Sequence, residues 1–203
     1  YTLTGVAPCI NDASVATVNI NPALNAGADG NTTICDSSVT PIDLFSLITG
    51  EQTGGVWTQT SGTGGTFNAG AGTYTPAVGA TTSTFTYTLT GVAPCINDTS
   101  VATININPQP FAGTDVVLVV CPQTASAINV GNLLVDGDSG GTWVQTSGPI
   151  GNFNPVSAIF TPPSGAAAST SVFTYTVLGT APCVNDEATV TITVNRQGIA
   201  GTD

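Results

Sequence analysis

Residues 83–107 read STFTYTLTGVAPCINDTSVATININ, and this stretch decides the fold. Before the APC tripeptide, Phe85 and Tyr87 alternate with threonines. After it, Ala102 and Ile104 alternate with polar residues. A period of two in β-branched and aromatic residues is typical of half-buried antiparallel strands. The stretch therefore predicts two neighbouring strands joined by a turn.

The same stretch recurs along the chain, which makes the protein a repeat array. Residues 1–12 read YTLTGVAPCIND, residues 87–98 repeat them unchanged, and residues 175–186 hold the diverged copy YTVLGTAPCVND. The copies start 86 and 88 residues apart, which is too long for a solenoid repeat of roughly 20–50 residues. The period fits a whole small β domain.

Each period contains about seven short strand signals separated by Gly, Pro, Asn and Ser, and no long segment has a helical period. This pattern predicts an all-β chain of tandem immunoglobulin-like β-sandwich repeats, arranged as an extended rod, with at most short helical turns at 44–48 and 130–135. Because the chain starts and stops inside the repeat pattern, we expect it to be a window on a longer protein. The predicted parts are the C-terminal strands of an incomplete upstream repeat (1–24), two Ig-like repeats (25–110 and 111–197) and the start of another (198–203).

The composition argues against several function classes. The chain has one Lys or Arg, 12 Asp or Glu and no His, with a formal net charge of −11, and 41% of its residues are hydrophobic. One cation cannot neutralise a nucleic-acid backbone, and no apolar run is long enough to span a membrane. Residues 137–141 spell GDSGG, as in trypsin-like proteases, but the mechanism needs a histidine base. We therefore expect no enzyme and interpret GDSGG as a glycine-rich turn.

The five cysteines predict disulfides inside single repeats. The favoured pairs are Cys35–Cys95 and Cys121–Cys183, with Cys9 joined to a residue upstream. The alternative, Cys9–Cys35 with Cys95–Cys121, bridges neighbouring repeats. It is disfavoured because the strand after Cys95 is about ten residues long, roughly 30 Å, whereas bridged Cα atoms lie within roughly 7 Å. Either scheme indicates an oxidising, extracytoplasmic setting.

Two pairs of aspartates recur with the repeats, Asp29 with Asp98 and Asp115 with Asp186, and in a sandwich of this type the two carboxylates of each pair could meet near the junction between repeats. Turn formation and strand capping are the default roles of such residues, so no cofactor is expected. The alternative is a Ca²⁺ clamp, for which backbone and Asn oxygens would have to complete six to eight ligands. A second calcium pattern begins at Asp136 (DGDSG), but position 147 is serine where an EF-hand loop has Glu.

The aromatic residues predict the core of each sandwich. Trp57 and Trp143 follow Gly-Gly in equivalent strands, and Tyr87 and Tyr175 lie in the alternating strands before the APC turn. Mid-strand aromatics of this kind are typical core residues, and a sugar-binding platform at the tryptophans is the alternative.

The order of motifs resembles a known repeat class. AGxD, a cysteine, GGxW and then FTYTxxGxAPCxND before a Val/Ile/Thr strand is similar to the tandem Ig-like (PKD-related) repeats of giant Bacteroidetes cell-surface adhesins, closest to the SprB-type gliding-motility adhesins of flavobacteria. The resemblance covers essentially the whole chain. It implies type IX secretion, attachment to the outer membrane, and a long filament that a motor moves along the cell.

The repeats, the predicted disulfides and the acidic composition predict structural spacer repeats, and the resemblance implies that they form the stalk of a secreted adhesin filament serving surface adhesion and gliding motility. The expected partners are neighbouring repeats of the same chain, surface polysaccharide and other outer-membrane adhesion or motility proteins, with no nucleic acid and no membrane insertion. The alternative function is a carbohydrate-binding or calcium-dependent self-association module.

Overall fold

A computed structural model describes residues 1–121, 126–149, 152–162 and 168–196. The predicted start of a further repeat (198–203), together with position 197, lies outside these described residues. The strands in the described part are β1 Thr2–Leu3, β2 Asp12–Ala13, β3 Gly30–Cys35, β4 Ile42–Asp43, β5 Val56–Ser61, β6 Thr66–Asn68, β7 Thr73–Thr75, β8 Ser83–Leu89, β9 Asp98–Asn107, β10 Val116–Val120, β11 Ile128–Asn129, β12 Thr142–Ser147, β13 Asn152–Asn154, β14 Ile159–Thr161, β15 Ser169–Val177 and β16 Asp186–Val194.

Strands β3 to β9 and β10 to β16 form two sandwiches of the same topology. We call them repeat 1 and repeat 2. Each has a four-stranded sheet, ordered β3-β9-β8-β5 or β10-β16-β15-β12, and a three-stranded sheet, ordered β4-β7-β6 or β11-β14-β13. The all-β, immunoglobulin-like class predicted from the repeats is confirmed. The domain boundaries and the extended rod stay predictions.

The two sheets of each repeat meet through aromatic side chains on alternate strand positions. In repeat 1, every second residue of β8 is buried, and the ring of Phe85 lies 5.0 Å from those of Phe67 and Tyr74 on the opposite sheet. In repeat 2, the ring of Phe173 lies 4.7 Å from those of Phe153 and Phe160. The alternation of apolar residue and threonine therefore places one side of each strand in the core and the other in solvent.

One pairing in each repeat is parallel and matters for the site. The first strand runs beside the last in the same direction, with Gly30 opposite Ala102 and Cys35 opposite Asn107 in repeat 1. Repeat 2 has the equivalent register, from Val116 opposite Val190 onward. The first strand therefore ends where the last strand ends, at the far end of the sandwich from the APC turn.

Short 3₁₀ turns form within both ranges expected to be helical. Leu44–Ser46 begins after Asp43, whose carboxylate accepts the Phe45 amide, and Val130–Asn132 begins after Asn129, whose side-chain oxygen accepts the amides of the second and third turn residues. Such side-chain acceptors are preferred at helix N-termini. Each turn follows the first short strand of the three-stranded sheet.

The N-terminal 24 residues form less structure than the alternating sequence predicts. Strands β1 and β2 pair only through Thr2 with Ala13 and Leu3 with Asp12, and most of the segment is exposed. Across the described ranges, no helix has the length and apolar character that crossing a membrane would require.

Candidate functional site: the junction between the repeats

A disulfide joins the two repeats, and it is not one of the predicted pairs. Cys35 at the end of β3 is bonded to Cys183 in the APC turn of repeat 2, with the two Cα atoms 4.9 Å apart and a sequence separation of 148. The predicted pairs Cys35–Cys95 and Cys121–Cys183 are therefore wrong, and so is the alternative that joined Cys35 to Cys9. Cys95 is a half-buried free thiol, and Cys9 is an exposed one.

The parallel pairing of first and last strands explains the correction. Cys35 lies opposite Asn107, the last residue of β9, whereas Cys95 precedes the first residue of β9, Asp98. Ten residues of extended strand separate the two ends by roughly 33 Å. Cysteines at opposite ends of one sandwich cannot bond, but the end of repeat 1 can reach the APC turn of repeat 2.

Two linker side chains add hydrogen bonds to the same junction. The Asn107 amide donates from Nδ2 to the Ala181 carbonyl at 2.8 Å, and the Gln109 amide donates from Nε2 to the Val184 carbonyl at 2.9 Å. Both acceptors are backbone carbonyls of the APC turn that holds Cys183. Repeat 1 therefore contacts this turn at residues before and after Cys183 in sequence, in addition to the disulfide.

A buried carboxylate fixes the linker on the repeat 1 side. Asp36 is 5% exposed, and its two oxygens accept the backbone amides of Gln109 at 2.8 Å and Gly79 at 2.9 Å. The Asp36 amide in turn donates to the Asn107 carbonyl at 3.0 Å. Linker residues 107–109 are thus tied to the repeat from which they emerge.

Part of the same contact recurs one repeat upstream. Asn21 is the equivalent of Asn107 in the repeat pattern, and its Nδ2 lies 3.5 Å from the carbonyl oxygen of Ala93 in the APC turn of repeat 1. The turns themselves match, since Asn97 Oδ1 accepts the Gly91 amide at 2.9 Å as Asn185 Oδ1 accepts the Gly179 amide at 3.0 Å. Cys95 therefore occupies the place in repeat 1 that Cys183 occupies in repeat 2.

The four aspartates proposed as a calcium alternative are engaged with backbone amides of their own repeat. Asp98 accepts the Ala26 amide at 2.7 Å, and Asp29 accepts the Val101 amide at 2.8 Å. Asp186 and Asp115 accept the amides of Ala112 and Thr189 at the same distances. Each pair ties the first strand to the start of the last. Among the described residues, no three Asp, Glu, Cys or His side chains are grouped as a metal site requires.

Of the four predicted core aromatics, the two in repeat 1 are buried and the two in repeat 2 are only partly buried. In repeat 1, Trp57 is 2% exposed and Tyr87 is 1% exposed. In repeat 2, their equivalents Trp143 and Tyr175 are only partly buried. Phe45 accounts for the difference, because its ring covers both Trp57 and Tyr87 edge-on, at 5.4 and 5.3 Å between centroids. The equivalent residue in repeat 2 is Gly131.

The residues that form the contacts between repeat 1 and repeat 2 were not predicted from the sequence. Residues 107–110 read NPQP, a composition typical of a linker, and their Asn and Gln are the side chains that reach the next repeat. The position of Asp36, directly after a cysteine that ends a strand, was the sequence signal that could have indicated its role at the junction. Aligning the two repeats by their 86-residue offset also exposes the replacement of Phe45 by Gly131.

Comparisons with known proteins give a fold likeness and no family. Neither a protein-family model nor a curated protein matches the chain. Among solved structures, it is similar to the human protocadherin-24 EC1-2 pair, with 9% identity over 86% of this chain and 100% of that chain, and a TM-score of 0.40. It is also similar to part of the endo-fucoidan hydrolase MfFcnA9 from glycoside hydrolase family 107, with 19% identity over 67% of this chain, 28% of the enzyme and a TM-score of 0.25. At these values, neither likeness bears on function.

Proposed function

We propose that the chain is a length of stalk from a secreted cell-surface adhesin, whose repeats act as non-catalytic spacers. The observation that carries the proposal is the junction, where a disulfide and two side-chain hydrogen bonds tie repeat 1 to repeat 2. A module that acts alone has no need of a covalent bond to its neighbour. A stalk under tension does, because force passes from one repeat to the next.

The position of the disulfide supports a mechanical role. Tension applied at the two ends enters along β3, crosses the Cys35–Cys183 bond and leaves along β16. The chain between the two cysteines, whose sequence separation is 148, is outside this path, so most of both sandwiches carries no load while the bond is intact. The bond requires an oxidising compartment, which supports a location outside the cytoplasm.

The composition supports the remaining parts of the proposal. The chain contains no His and no Lys, the usual general base and Schiff-base amine, so a non-catalytic role fits. Its net charge of −11 makes neighbouring filaments repel each other. Type IX export, outer-membrane attachment and gliding motility belong to the proposal through the motif resemblance alone.

Single-molecule stretching of the whole chain tests the mechanical role. With the disulfide intact, the fully extended chain should be shorter than the reduced chain by about 500 Å, since roughly 150 residues at 3.3–3.6 Å each stay in the closed loop. A spacer should also resist until a distinct unfolding force is reached. Extension at the force of an unstructured polypeptide, with or without reductant, would contradict the stalk role.

Antibody labelling tests the location and the motility. An antibody against folded repeat 2 should label intact source cells, and the label should travel along gliding cells. Labelling that requires permeabilised cells would exclude the surface location. Surface label that stays still on moving cells would remove the motility part and leave the stalk.

A further inference from the structure

Trp143 is open to a cleft in repeat 2, whereas its equivalent Trp57 is buried. The cleft at the corresponding place in repeat 1, of about 310 Å³, has Phe45 and Tyr87 in its wall and not Trp57. In repeat 1, the Phe45 ring packs edge-on against both Trp57 and Tyr87, with interplanar angles of 76°. In repeat 2, Gly131 takes the place of Phe45, while Trp143 and Tyr175 keep their own contact at 5.0 Å between ring centroids. Two clefts, of about 190 and 570 Å³, both have these two rings in their walls.

A second replacement accompanies the first. In repeat 1, a Cβ at Gly72 would lie 2.8 Å from Cε2 of Phe45, so that glycine is required by the phenyl ring. In repeat 2, the equivalent residue is Ala158, whose φ of 54° is unusual for a residue with a side chain. A methyl group thus occupies part of the space that a phenyl ring fills in repeat 1. The rest of that space is open.

Both clefts have polar residues in their walls. Asp138 and Ser139 line the cleft that contains Gly131, and Thr142 and Ser157 line the second one. The equivalent residues of repeat 1 are Gln52, Thr53, Val56 and Ala71. Trp143 Nε1 lies 4.0 Å from the position that a Cβ on Gly131 would take. Hydrogen-bonding side chains therefore lie beside the rings of Trp143 and Tyr175, whose equivalents in repeat 1 are covered by the phenyl ring of Phe45.

We propose that the cleft lined by Gly131 and Trp143 binds one pyranose ring of a neutral glycan, with an apolar face of the sugar on Trp143 and its hydroxyl groups toward the Asp138 and Ser139 side chains of the same cleft. A pyranose matches the phenyl ring of Phe45 in size, and it combines a C–H face with peripheral hydroxyls as the cleft combines an aromatic wall with a polar rim.

Charge selects a neutral glycan over an acidic one. Asp138 lines the cleft, Asp136 lies two residues before it in sequence, and the only Lys or Arg in the whole chain is Arg196. A uronate or sulfate group bound here would be repelled by these carboxylates and would have no basic partner. The same acidity disfavours a second copy of this chain as the occupant.

The inference does not depend on the stalk role, and a cavity-filling pair tests it. In a Trp57→Phe background, Trp143 is the only tryptophan and reports occupancy by fluorescence. Cellohexaose, laminarihexaose and mannohexaose serve as neutral probes, and hexagalacturonate as the anionic one. We expect saturable changes with at least one neutral probe and at least tenfold weaker binding of hexagalacturonate.

The double variant Gly131→Phe/Ala158→Gly should cover Trp143 as Phe45 covers Trp57 in repeat 1 and weaken binding at least tenfold. The reciprocal variant Phe45→Gly/Gly72→Ala uncovers Trp57 in repeat 1. In a Trp143→Phe background, the fluorescence of Trp57 should then report glycan binding to repeat 1. Circular dichroism melts establish that each variant is folded, and the filled variant is expected to melt no lower than its parent.

Four outcomes would overturn the proposal. They are no saturable signal from any neutral probe up to 10 mM, unchanged affinity in the folded double variant, preference for hexagalacturonate, and a fluorescence change that follows protein concentration without any glycan. The last outcome would identify a second copy of the chain as the occupant. None of these outcomes affects the stretching experiment, so the two proposals can fail separately.

Discussion

At the scale of single residues, the paired aspartates fasten one strand to another. Asp98 and Asp29 each accept a backbone amide across the β3–β9 pairing, and Asp186 and Asp115 do the same in repeat 2. A carboxylate that accepts an amide hydrogen makes a stronger bond than a neutral acceptor. The acidic residues at each repeat start are thus explained by strand attachment, without a metal.

Replacing Asp98 with alanine should destabilise repeat 1. The Ala26 residue that donates to Asp98 is 0% exposed, so its amide would lose its acceptor where water cannot easily replace it. We expect the free energy of unfolding to fall by about 1–3 kcal/mol, measured by denaturant titration through Trp57 in a Trp143→Phe background. Asp12→Ala removes the same charge from an exposed site and serves as control. Equal losses in the two variants would contradict the assignment.

The sequence could predict which residues recur but not which of them stay covered. Trp57 and Trp143 stand in the same local pattern, so both were expected in the core. Their different exposure depends on position 45 or 131, which is distant in the chain and comes into contact only through the fold. The alternation of residues along a strand predicts which face of the sheet each side chain is on. It does not predict whether a ring from another element covers that side chain.

At the scale of elements, the Gly-Gly-x-Trp motif positions the start of a strand against a tyrosine. The Gly55 amide donates to Tyr87 Oη at 2.8 Å, and that hydroxyl donates to the Gln52 carbonyl at 2.9 Å. Gly141 and Tyr175 make the same contact in repeat 2, with the Asp138 carbonyl as acceptor. The tyrosine ring approaches the backbone so closely that only glycine leaves room for it.

Gly55→Ala should therefore disturb the start of β5. A Cβ there would lie 2.5 Å from Tyr87 Cζ and 2.8 Å from the Thr88 carbonyl oxygen, and the backbone atom cannot move away alone. We expect a loss of roughly 1–3 kcal/mol in the unfolding free energy of repeat 1, measured by thermal and denaturant unfolding. The matched control is Gly70→Ala, where the nearest atom to a Cβ is 3.6 Å away. A loss no greater than that of the control would contradict the steric explanation.

Strands were the part of the structure that local sequence determined best. Alternation of apolar residues with threonine in 83–107 is enough to define β8 and β9, because each residue's face follows from its position alone. The order of strands within a sheet is a different matter. Parallel pairing of β3 with β9 brings together segments about 70 residues apart, and no period in the sequence specifies it.

At the scale of the whole molecule, that unpredicted pairing changes the covalent structure. If the first and last strands ended at opposite ends, Cys35 would lie near Cys95 and each repeat would close on itself. Because they end together, Cys35 faces the next repeat and bonds to Cys183. The strand length that argued against a bridge between Cys95 and Cys121 argues equally against Cys35–Cys95. The pairing of the cysteines therefore follows from strand direction as well as from strand length.

A single cut in the linker distinguishes the pairings. Phe111 is 43% exposed, and limited chymotrypsin cleavage after it yields residues 1–111 and 112–203. With the Cys35–Cys183 bond, the pieces should stay together on a non-reducing gel and separate on reduction, whereas bonds confined to single repeats would let them separate at once. Cys35→Ser should then release the pieces without reductant, and the matched control Cys95→Ser should leave them joined. Release in the control but not in Cys35→Ser would instead place the bridge at Cys95 and contradict the junction on which the stalk proposal depends.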